Sequence, residues 1–158
     1  MAENIDTLLK ESRVYQPTAQ TKAAAYIQDY ESAYKKSIAD PEGFWSGVAK
    51  ELEWFSPWTK VLEWNYPWAK WFVGATCNIT YNCLDRHVKT WRKNKVAVIW
   101  VGENDQERVI TYGELYRQVN RCANALKKLG LTKGDRVTIY LPKVPEQIVA
   151  MLACARIG

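Results

Sequence analysis

The final fourteen residues, Pro145–Gly158, constrain the fold more than any other stretch. Pro145 can open a helix, because its missing N–H falls where a helix start leaves its donors unpaired. Along that helix Ile148, Val149, Met151, Leu152, Ala155 and Ile157 occupy nearly every direction around the axis. Only Glu146, Gln147 and Arg156 are clearly polar. A helix that is apolar all round must be covered on several sides, and each Leu, Ile or Met left in water forgoes about 1.5–3 kcal/mol.

The residues just upstream supply part of that cover. VAVIWV (Val96–Val101) is a short apolar run rich in β-branched residues and reads as a buried strand. ENDQE makes a polar turn, and Arg108–Thr111 a returning strand. Thr111 and Glu114 have capping-box spacing. The helix that follows places Leu115, Val119, Cys122, Ala123, Leu126 and Leu129 on one side and stops at Gly130, a natural left-handed terminator. LTKGD then turns the chain into a third strand, Arg136–Leu141. Strand, hairpin strand, helix, strand, helix is the opening of an α/β fold. Three short strands and one helix cannot cover the last helix and also bury a sheet on both faces. The expectation is an N-terminal part of a larger protein, ending where a parallel strand should follow.

The first half has a different texture. From Thr18 to Ile38, the residues Ala19, Ala23, Tyr26, Ile27, Tyr30, Tyr34 and Ile38 recur at spacings of three and four, the stripe of one amphipathic helix. Asp40-Pro41 stops it and starts another, with Asp as cap and Pro at the first helical position. Phe44, Trp45, Val48, Ala49 and Leu52 give that second helix a broad apolar face. After Trp54 the period is lost. WFSPWTKVLEWNYPWAKWFVG, with its two Pro-Trp pairs, reads as an irregular aromatic wrap, since a flexible linker would be polar and rich in Gly and Ser. A helix is expected again over Asn78–Asn94, with Ile79, Cys83, Leu84, Val88 and Trp91 inward.

Composition excludes several classes. With 47% hydrophobic and 25% charged residues, the 158-residue chain is close to the globular average rather than a disordered tail. No run approaches the roughly 20 apolar residues that span a bilayer. The start, MAENIDTLLKESRVY, is charged and lacks the apolar core of a secretory signal. Four sparse cysteines (Cys77, Cys83, Cys122, Cys154) then read as reduced thiols in a cytoplasmic protein. The net charge of +5 divides unevenly, −2 over residues 1–84 and +7 over 85–158, which marks an organisational boundary near residue 85.

The motifs that invite a function each have a plainer reading. Of eight tryptophans, six lie between Trp45 and Trp71. Trp54, Trp58, Trp64, Trp68 and Trp71 with Lys60 and Lys70 have the aromatic-plus-basic pattern of a single-strand nucleic-acid binder. They also suit packing of an irregular segment onto a neighbouring domain, which the acidic balance of this half favours. Arg86–Lys95 (RHVKTWRKNK) carries five Lys/Arg and can meet a phosphate-rich partner, or form the solvated end of a helix whose dipole attracts cations. Cys83 and His87 share a helix face with Cys77 nearby, but structural zinc takes four ligands, and no C-x-x-C pair exists here. Asn78-Ile79-Thr80 is a glycosylation sequon, without meaning unless the chain is secreted. Glu51 and Glu53, at i and i+2, point apart on a helix and make no acid/base pair. Neither a Gly-rich phosphate loop nor a G-x-S-x-G elbow is present, and one histidine builds no Ser-His-Asp site. No catalytic, cofactor-binding or metal residue is therefore assigned.

A family resemblance runs through these same segments. DPEGFW (Asp40–Trp45), preceded by Tyr30, Tyr34 and Ser37 and followed by Trp54 and Pro57-Trp58, resembles the N-terminal region of AMP-forming acetyl-CoA synthetases. YNCLDRH (Tyr81–His87), VAVIW, ITYGEL (Ile110–Leu115), GDRVTIYLP (Gly134–Pro142) and MLACARIG (Met151–Gly158) continue the match in order. YNCLDRH with MLACARIG is specific to the acetyl/propionyl branch, whereas ITYGEL and GDRV suit many adenylate-forming enzymes.

The resemblance implies a helical, aromatic-rich N-terminal region over residues 1–84 and the start of the large adenylate-forming (AMP-binding) domain over 85–158. It implies a ligase that joins acetate to coenzyme A through acetyl-adenylate, using ATP and Mg²⁺. The family's phosphate-gripping loop, adenosine site, acyl pocket, CoA contacts and catalytic lysine all fall downstream of residue 158. This segment would then be scaffold, inactive alone, with the remainder of its own polypeptide as partner and with no nucleic acid or membrane. It leaves open acetate versus propionate and assembly into a homo-oligomer. The rival expectation is a small non-enzymatic module whose Trp cluster and Arg86–Lys95 run grip nucleic acid or a partner protein.

Overall fold

In the computed structural model, residues 13–158 are described. The expectation about a secretory signal concerns the first residues and lies outside them. The chain divides into a unit up to Phe44 and a unit Trp45–Gly158.

In the first unit α1 (Ala19–Ala24) is capped by Thr18, whose hydroxyl accepts from the Thr21 N–H at 3.1 Å. α2 (Tyr30–Ala39) is capped by Asp29, which accepts from the Ser32 N–H at 3.0 Å. The single helix expected over Thr18–Ile38 is therefore two. An aspartate inside a helical pattern competes for backbone N–H groups, and Asp29 starts a new helix instead of continuing the old one. The stripe Tyr26, Ile27, Tyr30, Tyr34 and Ile38 stays exposed, with the Tyr30 and Tyr34 rings stacked at 5.9 Å. The Asp40-Pro41 punctuation is as expected: α2 ends at Asp40, whose carboxylate accepts from the Gly43 N–H at 2.9 Å and opens α3 (Pro41–Ala49).

The second unit departs from the irregular wrap expected after Trp54. The aromatic stretch is an antiparallel hairpin, β1 (Lys60–Asn65) with β2 (Trp68–Val73), in a register that sets Asn65 opposite Trp68. Pro67 does not break the chain. It follows a cis peptide at Tyr66 and occupies the hairpin turn, the place a cis proline takes in a type VI turn.

The helix expected over Asn78–Asn94 is also divided. A wide π-helical turn (Tyr81–Asp85) leads into one tight turn, α4 (Arg86–Val88), and then a 3₁₀ turn (Trp91–Asn94). Of its five expected inward residues, Leu84 is buried and Val88 half-buried, while Ile79, Cys83 and Trp91 are exposed. The buried places go to Thr80 and Asn82.

β3 (Val96–Val101) and β4 (Glu107–Thr111) form a second antiparallel hairpin with a bulge near Val96. β3 is not buried on both faces: Val96, Ile99 and Val101 are exposed. Thr111 caps α5 (Tyr112–Lys128), accepting from the Glu114 N–H at 3.2 Å. Gly130 ends the helix at φ +95°. α6 (Pro145–Ile157) packs on α5. Leu84, Ile110, Leu115, Val119, Ala123, Val149 and Ala153 form the core between these elements. Leu129, expected inward, points to solvent.

The segment Arg136–Leu141 forms no strand, because among the described residues it has no ladder partner, and a strand exists only beside another. α6 meets its need for cover on one side only. Val149 and Ala153 are buried, whereas Met151 is 56% exposed and Ile148 37%.

Candidate functional site

A network of hydrogen-bonded polar side chains lies around residues 78–86, between the backbone of Glu51 and Glu53 and the end of α6. The last carbonyls of a helix lack partners within it. The Asn78 amide donates to two of those, on Ala155 (3.0 Å) and Arg156 (3.2 Å). Thr80, fully buried, donates its hydroxyl to the Leu152 carbonyl at 2.9 Å. On the opposite side Asn82 accepts from the Glu53 N–H at 2.9 Å and donates to the Glu53 carbonyl at 3.0 Å. Arg86 donates to the Glu51 carbonyl at 2.9 Å. Asp85 accepts both Arg156 terminal nitrogens, at 2.6 and 3.3 Å, and the guanidinium lies over the Tyr116 ring.

This is a mechanical joint. It ties α6 through residues 78–86 to the backbone of Glu51 and Glu53. None of Asn78, Thr80 and Asn82 was singled out from the sequence as an inward residue. Nothing in their spacing marks them: Asn78 and Thr80 both reach α6, and Asn82 reaches Glu53.

The Trp cluster has two parts. Trp54, Trp58, Trp71 and Phe72 interlock at ring separations of 5.1–6.0 Å, and Trp45 meets Trp71 edge-on at 6.5 Å. Neighbours along a strand normally face opposite ways. Phe72 sits at φ +51°, an outlier for a bulky residue, and that twist brings its ring onto the same side as Trp71. The second part, Trp64 and Trp68 at the hairpin tip, is exposed at 67% and 74%. So the structure brings three of the five named tryptophans together and leaves two outside.

The basic run is engaged within the chain. Lys89 donates to the Tyr81 hydroxyl, and Lys95 and Arg92 lie over the Trp91 ring. The His87 ring packs on Tyr112 at 5.2 Å. Burial, then the charges of Arg92 and Arg86, hold its imidazole below the ordinary histidine value. Cys77 and Cys83 are exposed free thiols, and no three His, Cys, Asp or Glu side chains among the described residues gather into a metal site.

The groups the resemblance implies can be tested against these residues. A cleft of about 430 Å³ gathers Lys127, Lys133 and Arg156, the nearest approach to a phosphate site. Lys127 and Arg156, however, stand in the last turns of α5 and α6, where the negative ends of the helices attract cations and repel a phosphate. Gly130 and Gly134 serve a helix stop and a turn and do not line one loop. The described residues do not fit ATP, Mg²⁺ or CoA.

Residues 30–83 match the family described as acetyl-coenzyme A synthetase N-terminus, and residues 84–158 match the AMP-binding enzyme family. The chain is 51% identical over 155 residues to an acetyl-coenzyme A synthetase of Gemmatimonas aurantiaca, covering 98% of this chain and 24% of that one. It is 49% identical over 160 residues to the acetyl-coenzyme A synthetase of Chlorobaculum tepidum, covering 99% and 24%. Among solved structures, acetoacetyl-CoA synthetase from Streptomyces lividans superposes with a TM-score of 0.81 at 32% identity, covering 91% of this chain and 25% of its own. The chain thus spans about a quarter of the length of these relatives. It belongs to the acetyl-CoA synthetase family of AMP-binding enzymes and corresponds to the N-terminal portion of that family's chains.

Proposed function

We propose that this chain is the N-terminal part of an acetate–CoA ligase, and that it acts there as scaffold. In the complete enzyme acetate attacks the α-phosphate of ATP, giving acetyl-adenylate and pyrophosphate. The CoA thiol then displaces AMP. The residues that grip ATP, Mg²⁺ and CoA lie downstream, and residues 13–158 hold no catalytic, cofactor-binding or metal-binding side chain. Residues 1–84 form the N-terminal region and 85–158 begin the AMP-binding domain. The joint at Asn78, Thr80, Asn82 and Asp85 fastens the two together. The complete enzyme works in the cytoplasm on small molecules, without nucleic acid or membrane.

The observation that carries this reading is the placement of the polar groups. Those best buried, Thr80 and Asn82, are used up on backbone partners of Leu152 and Glu53. Acetate-dependent exchange between ATP and pyrophosphate tests it. The complete polypeptide should catalyse the exchange, with acetate and propionate compared as acyl donors, and residues 1–158 alone should not. Exchange above background by the short chain overturns the proposal. Quenching of tryptophan fluorescence by single-stranded oligonucleotides at moderate salt would point to a nucleic-acid module instead.

A further inference from the structure

We propose that His87 is a proton-operated latch, which holds the 3₁₀ turn Trp91–Asn94 closed while its imidazole is neutral and releases it in mild acid. It is the single histidine of the chain, and it is half-buried where three elements meet. His87 belongs to α4, and its ring packs on Tyr112 at the start of α5. Its Nδ1 stands 3.4 Å from Nη1 of Arg92 in the 3₁₀ turn. An arginine has donors only, so Nδ1 accepts, and the proton of the neutral ring sits on Nε2. A second proton has to go on Nδ1, the atom that faces the guanidinium. The hydrogen bond is then lost, and two positive charges stand in its place.

The surroundings oppose that proton. Burial, then Arg92 from the 3₁₀ turn and Arg86 from α4 itself, hold the imidazole below its ordinary value, while Glu53, before β1, acts the other way. Asp85 of the π-helical turn is held by Arg156, and Lys89 turns to the Tyr81 hydroxyl. Lys93 lies along Gly113, and α5 presents the Tyr112 ring. Arg92 is also central to what the latch holds. Its carbonyl accepts from the Lys95 N–H at 2.9 Å, and the Lys95 carbonyl accepts from the Tyr112 N–H at 3.0 Å. Thr90 donates its hydroxyl to the His87 carbonyl at 2.8 Å and accepts from the Arg92 N–H at 3.2 Å. Displacing Arg92 therefore loosens both the turn between α4 and β3 and its tie to α5. The inference concerns these contacts and does not rest on the ligase reading.

A histidine whose folded value is depressed contributes stability that is present above the unfolded value, near about 6.5, and lost as pH falls towards the folded one. With one histidine, nuclear magnetic resonance of the ring nitrogens in the 158-residue chain reads tautomer and titration directly. It should show the Nε2–H tautomer near about pH 8 and a midpoint below about 6.5, which Arg92→Met should raise. As pH falls through that midpoint, the Lys95 and Tyr112 amides should lose hydrogen-exchange protection, about tenfold for each unit of depression. The α5 amides around Val119 should keep theirs. His87→Asn retains an acceptor in the place of Nδ1 and cannot become charged. Its protection at Lys95 and Tyr112 should be the same at about pH 8 and about pH 5. The proposal is overturned if the ring is the Nδ1–H tautomer, or if its midpoint lies at or above about 6.5 or ignores Arg92→Met. Equal acid loss of protection in His87→Asn and the unmodified chain overturns it as well.

Discussion

Removing the Asp85 carboxylate should destabilise the second unit more than a surface ion pair could. Its side chain is 13% exposed and that of Arg156 20%, and two hydrogen bonds join them. Exposed pairs contribute about 0–1 kcal/mol, whereas breaking a buried pair by deleting one partner costs about 3–5 kcal/mol, because the remaining charge is stranded. Arg156 is a severe case: its Nε is buried without a hydrogen-bond partner, so the guanidinium relies on Asp85 and the Tyr116 face. The residual exposure places the expected cost of Asp85→Ala at the lower end, about 3 kcal/mol. With an m-value of about 1.5–2 kcal/mol/M, the urea midpoint should fall by about 1.5–2 M at unchanged m. Arg156→Met strands Asp85 in turn. The double variant should cost clearly less than the two singles together, since neither charge is then left alone. Strict additivity, or a midpoint shift too small to separate from the unmodified chain, refutes the reasoning.

Two further outcomes follow from the same structure. Leu84→Ala removes a side chain only 2% exposed at the centre of the core and should cost about 2–5 kcal/mol, read as a lowered unfolding midpoint, whereas Leu129→Ala at 79% exposure should cost little. Hydrogen bonds from Thr132 hold the Asp135 carboxyl below the usual carboxylate range, and the bond from Arg108 does the same for Glu146. A depressed folded pKa contributes stability above the unfolded value near about 4 and loses it as pH falls through the lower folded value. In a His87→Asn background, thermal midpoints should therefore hold between neutrality and about pH 5 and drop below about pH 4, less steeply in an Asp135→Asn/Glu146→Gln variant.

Local signals carried well from sequence to structure, and signals that depend on distant neighbours did not. Asp40-Pro41, the Thr111 cap, the Gly130 stop and the Pro145 start act within one or two turns, and each appears where expected. The hairpin at Lys60–Val73 was hidden because its aromatics sit on both faces and because Pro67 looked like a breaker. In fact proline at a turn costs the ladder nothing. Arg136–Leu141 has the composition of a strand, but pairing, not composition, makes one. Residues 78–86 misled for a third reason. An apolar stripe predicts Ile79, Cys83 and Trp91 inward, while the inward positions belong to Thr80 and Asn82, whose hydrogen bonds make them acceptable in the interior. The joint at residues 78–86 was not legible, because it depends on contacts to residues more than seventy positions away.

The claim that this chain is scaffold for a larger domain predicts how α6 behaves. Hydrogen exchange over residues 145–158 can be compared between the 158-residue chain and the complete polypeptide, each held in its monomeric form. With Met151 and Ile148 facing water on an otherwise apolar helix, the short chain should open locally and exchange rapidly there, while the α5 segment around Val119 exchanges slowly. In the complete polypeptide residues 145–158 should be as protected as α5. Strong and equal protection of this helix in both would contradict the account.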